Sequence, residues 1–378
     1  MPSTGLNGAE RPGDGYGPTD GPPAAGSGSS GAQQDGGEVE RLLARGWASL
    51  PPEYAIPATA PTLDEARSYC RRLATSHYEN FSVATWFLPK PLHQHFFNVY
   101  AYCRISDDLG DEVGDSQVSL ALLERWEQEL DATYRGLEAS APAAGSEALP
   151  ISTEVRHPVF VALAETIRSC AIPRHEFSDL LQAFRQDQTV TRYESFDDLL
   201  GYCRNSANPV GHLVLYLCGY KDEERQRLSD ATCTALQLAN FWQDVAVDWK
   251  KGRVYLPLED LRRFGVSEEQ IAEGRFNRQF GELMRFEVER ARQWFAQGLP
   301  LATQVNRSLA LDLELFSRGG LAILQAIEKQ EYDVLARRPS LSKLRKLELV
   351  LRALAGRAAL LGRAGPGRAA GKSGGSAG

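Results

Sequence analysis

The stretch Leu236-Gln-Leu-Ala-Asn-Phe-Trp-Gln-Asp-Val-Ala-Val-Asp-Trp249 decides the fold class of this chain. Apolar residues occupy nearly every side of a helix drawn through it, which is typical of a helix buried in a protein core. Its polar side chains lie at offsets of 3, 7 and 11 residues from the first, so they form one stripe. They are Gln237, Asn240, Asp244 and Asp248, with Gln243 beside them. Because a buried polar stripe needs partners, this helix must face a site that satisfies it.

A second stretch, Phe96-Phe-Asn-Val-Tyr-Ala-Tyr-Cys-Arg-Ile-Ser-Asp-Asp-Leu-Gly-Asp111, repeats the pattern. Arg104, Asp107 and Asp111 follow one another at spacings of three and four residues, with Asp108 beside them and apolar residues around them. One Asp-x-x-x-Asp pair alone is commonly an exposed, solvated face. Two pairs on apolar helices weaken that interpretation, because like charges at this spacing destabilise a helix and buried ones cost far more.

Cations held between the two aspartate pairs explain both stretches. Carboxylate oxygens are hard ligands, and Mg²⁺ prefers a few of them together with waters and phosphate oxygens of a substrate. A metal held in this way acts as a Lewis acid that draws charge onto the oxygens of a leaving group. The sequence therefore predicts Mg²⁺ as the cofactor, a diphosphate as the group it holds, and Asp107, Asp111, Asp244 and Asp248 as ligands.

The same apolar spacing of three and four residues runs through most of the chain, while strand signals are nearly absent. It predicts helices at 63–75, 91–111, 118–135, 158–171, 174–187, 195–220, 222–249, 279–298, 305–330 and 340–361. Thr62 marks the start of one helix, and Asn208-Pro209 predicts a kink in another. These helices predict an all-α, single-domain bundle with a central active-site cavity between facing helices.

The two ends of the chain differ in composition from the middle. Residues 1–37 are rich in Gly, Pro and Ser, and residues 362–378 are similar, so both are predicted to be disordered tails of an all-helical domain at 38–361. The net charge is −7, and no basic stripe is interleaved with aromatics, which argues against nucleic-acid binding. No signal peptide and no long apolar run is found, so the predicted location is cytoplasmic.

Residues 337–372 carry ten Lys or Arg and one acid, Glu348. Two interpretations stay open for this segment. It is either a solvated face with a charged tail, or a peripheral contact with the anionic inner face of a membrane, which would suit the delivery of an apolar substrate.

At this point the chain resembles the squalene and phytoene synthases, which condense isoprenoid diphosphates head to head. Four blocks in the order of that family carry the resemblance, which spans about residues 62–358. They are Tyr100–Asp111, Tyr202–Gly211 (YCRNSANPVG), Asn240–Asp248 and Gly252–Pro257 (GRVYLP). The resemblance implies the isoprenoid-synthase helical bundle and an isoprenoid diphosphate as substrate.

Two further blocks, His77–Val83 (HYENFSV) and Ala183–Tyr193 (AFRQDQTVTRY), resemble one branch of the family, the bacterial hydroxysqualene synthases of hopanoid biosynthesis (HpnC type). Gln243 stands where most of the family has Arg, which also fits that branch. The branch implies Mg²⁺-dependent ionisation of presqualene diphosphate, rearrangement, and capture by water to give hydroxysqualene and diphosphate. It also implies coupling to a presqualene diphosphate synthase and a hydroxysqualene reductase.

The resemblance also assigns roles to residues. It implies Tyr202 in catalysis, His77 and Arg104 on the diphosphate, and Asn240 beside the four aspartate ligands. Further residues are expected along the substrate path: Tyr100, Gln237, Gln243, Phe81, Phe184 and Tyr332. Structural interpretations remain for several of these: His77 as a helix cap, Arg104 paired with Asp107 or Asp108, and the aromatics as plain core.

Two other functions remain open. The chain could condense farnesyl or geranylgeranyl diphosphate to presqualene diphosphate, squalene or phytoene. It could instead be a catalytically inactive helical assembly factor, although the presence of both complete aspartate pairs argues against this.

Overall fold

The structure, a computed structural model, describes residues 30–76, 88–139 and 154–341, with side chains from residue 37 onward in the first helix. The chain divides into a unit that ends at Arg41 and a unit that begins at Leu42. The second unit is a helical domain, and its described residues contain no strand, only an isolated bridge between Arg192 and Val254. The predicted all-α fold is therefore confirmed.

Fourteen helices lie within the described ranges, with two short 3₁₀ turns at Pro52–Tyr54 and Lys90–Leu92. The helices are α1 Ser30–Ser49, α2 Leu63–Ser76, α3 His93–Asp111, α4 Ser116–Ala139, α5 Pro158–Cys170, α6 His175–Gln186, α7 Phe196–Ser206, α8 Asn208–Leu217, α9 Glu223–Lys250, α10 Leu258–Phe264, α11 Glu268–Ala272, α12 Arg278–Gly298, α13 Leu301–Gln304 and α14 Arg307–Lys329. Nine of the ten predicted helical segments match these bounds closely. The tenth, at 340–361, lies almost entirely outside the described residues.

Helix α2 begins where the sequence predicts. The Thr62 hydroxyl accepts a hydrogen bond from the Glu65 N–H at 3.4 Å, and the Glu65 carboxylate accepts one from the Thr62 N–H at 2.8 Å. This reciprocal capping box satisfies two N–H groups that a helix start otherwise leaves unpaired.

The predicted kink is a break between α7 and α8. Helix α7 ends at Ser206, and Pro209, which has no N–H to donate, lies in the first turn of α8. The Asn208 side chain accepts a hydrogen bond from the Thr234 hydroxyl at 3.2 Å, which ties the start of α8 to α9. At Gly211 an added Cβ would lie 2.3 Å from Ser229 Oγ, so only glycine allows α8 to pack this closely against α9. The break therefore positions α8 as a wall beside α9.

The core consists mainly of two hydrophobic clusters. One packs around Trp126, Phe160 and Phe177 and includes the buried residues of α3. The other packs around Trp242 and Phe280 and includes those of α9. The two acidic stretches thus belong to different halves of the core. Both can therefore line a cavity that lies between the halves.

Some elements differ from the prediction. Helix α1 begins at Ser30, inside the segment predicted to be disordered, although its first side chains are not described. The short helices α10, α11 and α13 were not predicted, because so few residues cannot display an apolar period. All six cysteines are free thiols. Among the described residues, no helix is long and apolar enough to cross a membrane.

Candidate active site

Helices α3 and α9 have the same design along one face. In α3, the residues that precede Asp107 and Asp111 on this face are Phe96, Val99, Tyr100 and Cys103. In α9, the residues that precede Asn240, Asp244 and Asp248 are Ser229, Thr232, Cys233 and Leu236. The steps of three and four residues keep each series on one side of its helix. Each face therefore carries uncharged side chains in its first part, mostly apolar in α3 and small or apolar in α9, and is acidic at its end.

An apolar cavity of about 290 Å³ lies along the first part of both faces. Helices α8 and α14 complete its wall. Its lining includes Phe96, Tyr100, Cys103, Leu215, Cys233, Leu236, Leu309, Asp312 and Phe316. The predicted central cavity is present, and the acidic ends of α3 and α9 lie beyond its Tyr100 and Leu236 end.

The first acidic pair is paired with cations from the segment after α9. Asp111 lies 3.1 Å from Arg253 and 3.6 Å from Lys251. Burial, followed by the charge of Asp111, raises the pKa of Asp107 to about 6. This carboxyl is thus held among negative charges that the protein's own cations offset only in part.

The second pair shows the same excess of negative charge. Asp244 accepts a hydrogen bond from Nη2 of Arg338 at 2.9 Å and a second from its Nε. Burial, followed by the charge of Asp244, raises the pKa of Asp248 to about 7, and Asp111 contributes in the same direction. Because Asp111 acts on Asp248, the two helices present their carboxylates to a shared space.

A left-handed turn after α9 brings the two cations to the first pair. Gly252 has a φ of 79°, a conformation that side chains disfavour, and the N–H of Arg253 returns to the Asp248 carbonyl at 2.9 Å. The chain thereby reverses at once, and Lys251 and Arg253 turn toward Asp111. Neither cation was assigned a role from the sequence, although Arg253 lies within the quoted block Gly252–Pro257.

A fifth carboxylate, Asp187, joins this group from the end of α6. Its Oδ2 accepts a hydrogen bond from the Tyr202 hydroxyl at 2.8 Å, while its buried Oδ1 has no hydrogen-bond partner among the described residues. Burial raises the pKa of Asp187 to about 6, against the opposing charge of Arg253, and Asp111 and Asp107 both act on it. Burial and Asp187 together hold the pKa of Tyr202 well above its usual value, so its hydroxyl remains a donor.

Aromatic rings surround Tyr202. Phe241 and Tyr255 stack with ring centroids 3.9 Å apart, and both rings contact that of Tyr202. Tyr193 packs against Tyr202 at 5.5 Å. These four rings form one cluster beside the carboxylates, built from side chains that the sequence did not single out apart from Tyr202.

Arg104 is engaged within its own helix. Its Nε donates to Asp108 at 2.9 Å, and the Tyr54 hydroxyl donates to the same carboxylate at 2.8 Å. The internal pairing left open for Arg104 is therefore present, with Asp108 rather than Asp107. This pairing holds the Arg104 guanidinium one turn before Asp107 and beside Tyr100. Burial raises the pKa of Tyr100.

Several predicted site residues lie elsewhere. Gln243 is buried away from the acidic face, and its side chain donates to the Pro339 carbonyl at 2.6 Å, because it lies one position off the stripe. Tyr332 has a φ of 67° just after α14 and stacks beneath Arg285, outside the cavity lining. Phe184 packs close to Gly110. Gln237 is half-buried and Asn240 is exposed, both on the stripe as predicted.

His77 and Phe81 fall in 77–87, outside the described residues. The structure adds Asp187, Lys251, Arg253 and Arg338 to the site. Asp187 and Arg253 lie within quoted blocks, whereas Lys251 falls between two blocks and Arg338 stands in a basic run, so no motif marked either of these two.

Within the described ranges, no three His, Cys, Asp or Glu side chains lie close enough together to hold a metal ion by themselves. Mg²⁺ usually takes only one or two protein carboxylates and completes its shell with waters and phosphate oxygens. The facing pairs, with raised pKa values at Asp107 and Asp248, are a donor set of that kind.

Comparison with known proteins gives consistent findings. The family model for squalene/phytoene synthase matches residues 74–345. The phytoene synthase of Arthrospira platensis is 29% identical over 301 residues, 74% of this chain and 89% of that protein. The 15-cis-phytoene synthase of Synechococcus elongatus is 27% identical over 298 residues, 76% and 91% of the two chains. The crystal structure of squalene synthase HpnC from Alicyclobacillus acidocaldarius is 42% identical, with a TM-score of 0.64 over 76% of this chain and 98% of that one. A dehydrosqualene synthase at 24% identity shares the fold, with a TM-score of 0.66 over 79% of this chain and 98% of that one.

Proposed function

Because the chain belongs to the squalene/phytoene synthase family, we propose that it is a hydroxysqualene synthase, which ionises presqualene diphosphate and captures the rearranged cation with water. One observation carries the proposal: two aspartate pairs end the two helix faces that line an apolar cavity. Such a site binds a charged headgroup at one end and a hydrocarbon along the rest.

Mg²⁺ fits the residues present. Asp107, Asp111, Asp244 and Asp248 would hold it, with Asn240 beside them, and the buried unpartnered Oδ1 of Asp187 points to a further positive partner. When bound, the metal supplies Lewis-acid polarisation of the diphosphate. The site contains more carboxylates than cationic side chains, and bound Mg²⁺ would neutralise the excess negative charge.

The protein's own cations bind the leaving group. Lys251, Arg253 and Arg338 pair with carboxylates in this structure. When those carboxylates hold a metal ion, the three side chains would be free to bind the diphosphate oxygens, which a guanidinium fits with two parallel hydrogen bonds. Arg338 thereby supplies the positive charge that Gln243 lacks beside Asp244.

The aromatic cluster handles the positive charge left behind. The faces of Tyr202, Phe241 and Tyr255 stabilise a cation by roughly 1–2 kcal/mol each when water is excluded. Asp187 orients the Tyr202 hydroxyl through their 2.8 Å hydrogen bond, so that its oxygen lone pairs remain available to hold a water. Apolar walls keep other water away, which restricts capture to one position.

Several features support the hydroxysqualene branch. The blocks His77–Val83 and Ala183–Tyr193 resemble it, and a solved structure named squalene synthase HpnC is 42% identical. The basic segment 337–372 would hold the protein at an anionic membrane surface, where a presqualene diphosphate synthase delivers substrate and a hydroxysqualene reductase takes the product.

A second candidate is condensation of two geranylgeranyl diphosphates to phytoene. The curated relatives named phytoene synthases favour it, since they align with about three quarters of this chain.

The test is a product assay on purified protein with Mg²⁺ and no nicotinamide cofactor. Presqualene, farnesyl and geranylgeranyl diphosphates are offered separately, and Asp244→Asn/Asp248→Asn protein serves as the blank. We expect hydroxysqualene from presqualene diphosphate alone. Consumption of geranylgeranyl diphosphate would establish the second candidate, and no turnover of any of the three would refute both.

A further inference from the structure

Asp312 is the one carboxyl group among the described lining residues of the cavity, whose other side chains are apolar apart from Tyr100, Ser229, Thr232 and two cysteines. It lies on α14, is 3% exposed, and lines the cavity together with Leu309, Leu313 and Phe316. Within the part of the chain that the structure describes, neither carboxyl oxygen has a hydrogen-bond partner. No other Asp, Glu, Lys or Arg lines the cavity among the described residues. Buried polar groups are nearly always paired, so this one calls for a ligand or water within the cavity.

The packing of α14 on α9 gives the depth of Asp312. Near its start, Leu309 of α14 packs in one cluster with Leu228 of α9. Further on, a Cβ added at Gly320 would lie 2.9 Å from Leu236. The two helices therefore run in the same direction, and Asp312 lies near the level of Ala231.

That level is far from the acidic motifs. A helix rises 1.5 Å per residue, so about 20 Å of α9 separates the level of Asp312 from Asp244. A prenyl chain whose diphosphate is held at Asp244 extends along the cavity toward Asp312. The carboxyl group thus stands where the tail of a long hydrocarbon arm ends.

We propose that Asp312 is a specificity residue that forms a polar floor, which admits the arms of C15-derived substrates and rejects those of C20-derived ones. This inference rests on the proposed function, since it assumes a prenyl diphosphate held by the aspartate pairs. An arm that is longer by one isoprene unit must push apolar carbons against the carboxyl and exclude any water that would bind it. Burying the carboxyl without a hydrogen-bond partner costs free energy of binding. The shorter arm does not reach the carboxyl, so its binding avoids this cost.

The experiment compares Asp312→Ala with the matched control Asp312→Asn, which keeps the size and polarity of the floor. The first measurement is binding, in the presence of Mg²⁺, of the thiolodiphosphate analogues of farnesyl and geranylgeranyl diphosphate, which ionise slowly. The second is kcat/KM for presqualene diphosphate and for its C40 homologue prephytoene diphosphate.

We expect the wild type and Asp312→Asn to prefer the shorter arms by about tenfold or more, and Asp312→Ala to reduce that ratio to about threefold or less. A ratio unchanged in Asp312→Ala, or lost equally in Asp312→Asn, overturns the role of Asp312 while leaving the proposed function intact. Failure of the wild type to turn over presqualene diphosphate defeats the proposed function, and the inference with it.

Discussion

Asp248 and Asp312 both have a raised pKa, but their surroundings differ. At Asp248 burial acts together with neighbouring carboxylates, whereas at Asp312 burial is the sole cause. A group crowded by like charges is relieved by a cation, while a group in an apolar wall is relieved by protonation or replacement. Substitution should therefore lower activity at Asp248 and raise stability at Asp312.

Asp248→Asn removes one charged oxygen ligand and leaves the helix intact. We expect kcat/KM to fall by roughly 100-fold or more, because the charge that develops on the leaving group loses part of its stabilisation. Steady-state kinetics at saturating Mg²⁺ measure this. The matched control is Asp64→Asn on α2, whose carboxyl is 90% exposed and which should leave turnover unchanged. Equal activity in the two variants would contradict the assignment.

Asp312→Val tests the other carboxyl by stability. Burial raises the pKa of Asp312 from 3.8 to about 8, so the folded state favours its protonated form. The contribution of this group is fully present below about pH 4 and is lost as the pH rises to about 8. The variant should therefore gain stability relative to the wild type over that interval, by about 6 kcal/mol. Urea unfolding at several pH values measures the difference, and a pH-independent difference would count against a buried, unpartnered carboxyl.

At this scale the sequence revealed the spaced aspartates but not their partners. Asp107 and Asp248 stand out because their neighbours on the same helix are apolar. Asp312 stands between Leu311 and Leu313 on an amphipathic helix, where an acid usually faces solvent. Only the docking of α14 against α9 turns it inward, and that docking depends on Gly320 and Leu236, which are distant in sequence. Arg338 was hidden for the same reason, since its contact with Asp244 spans 94 residues.

Among the elements, α6, α8 and α9 are joined by one polar side chain. His212 on α8 contacts Glu176 of α6 at 3.0 Å and Asp230 of α9 at 2.7 Å. Glu176 is almost fully buried, so the histidine supplies the positive charge that its burial requires. These contacts, after the desolvation that opposes them, leave the pKa of His212 raised to about 9.

His212→Gln should loosen this junction. The raised pKa means that the stabilisation is fully present below about pH 6.5 and is lost as the pH rises through about 9. We expect the variant to lose roughly 3 kcal/mol of unfolding free energy near pH 6, and the loss to shrink toward pH 10. Chemical denaturation over this pH range is the measurement. His175→Gln is the control, because His175 approaches the same carboxylate at 3.4 Å from an exposed position, and its effect should stay within about 1 kcal/mol.

Long helices were predictable and short ones were not. α9 and α14 repeat their apolar period over many turns, and the α7–α8 break follows from Pro209. In contrast, α11 has five residues and is set by the cap of Ser267 and by its contacts with the rest of the fold. Tertiary packing decides such segments, and a local pattern does not report it.

At the scale of the molecule, the site joins two halves of the core. Helix α3 packs mainly in one hydrophobic cluster and the acidic end of α9 in the other. The aspartate pairs are therefore the points at which one ligand could contact both clusters. A ligand that binds both pairs should therefore stabilise the whole domain. A ligand at an isolated surface site would not stabilise both halves of the core in this way.

Metal binding should appear in thermal unfolding. With chelator-treated protein, we expect Mg²⁺ plus inorganic diphosphate to raise Tm by several degrees, because a ligand at 100 times its Kd stabilises by about 2.7 kcal/mol. Mg²⁺ alone should give a smaller rise, and diphosphate alone none. Asp107→Asn/Asp248→Asn protein should lose the response. A shift that persists in that variant would place the binding elsewhere.

The acidic pairs occupy the last two turns of α3 and α9, and this position has an electrostatic consequence of its own. The peptide dipoles of a helix sum to a partial negative charge at its carboxyl end, which disfavours acidic side chains there by about 0.3–1 kcal/mol each. Two such ends and four carboxylates face the same space. Bare diphosphate should be repelled from that field, whereas its magnesium complex should be attracted. Under the proposed function, the field would make the metal a condition of substrate entry, so that the leaving group would be recognised in its neutralised form before any bond is broken.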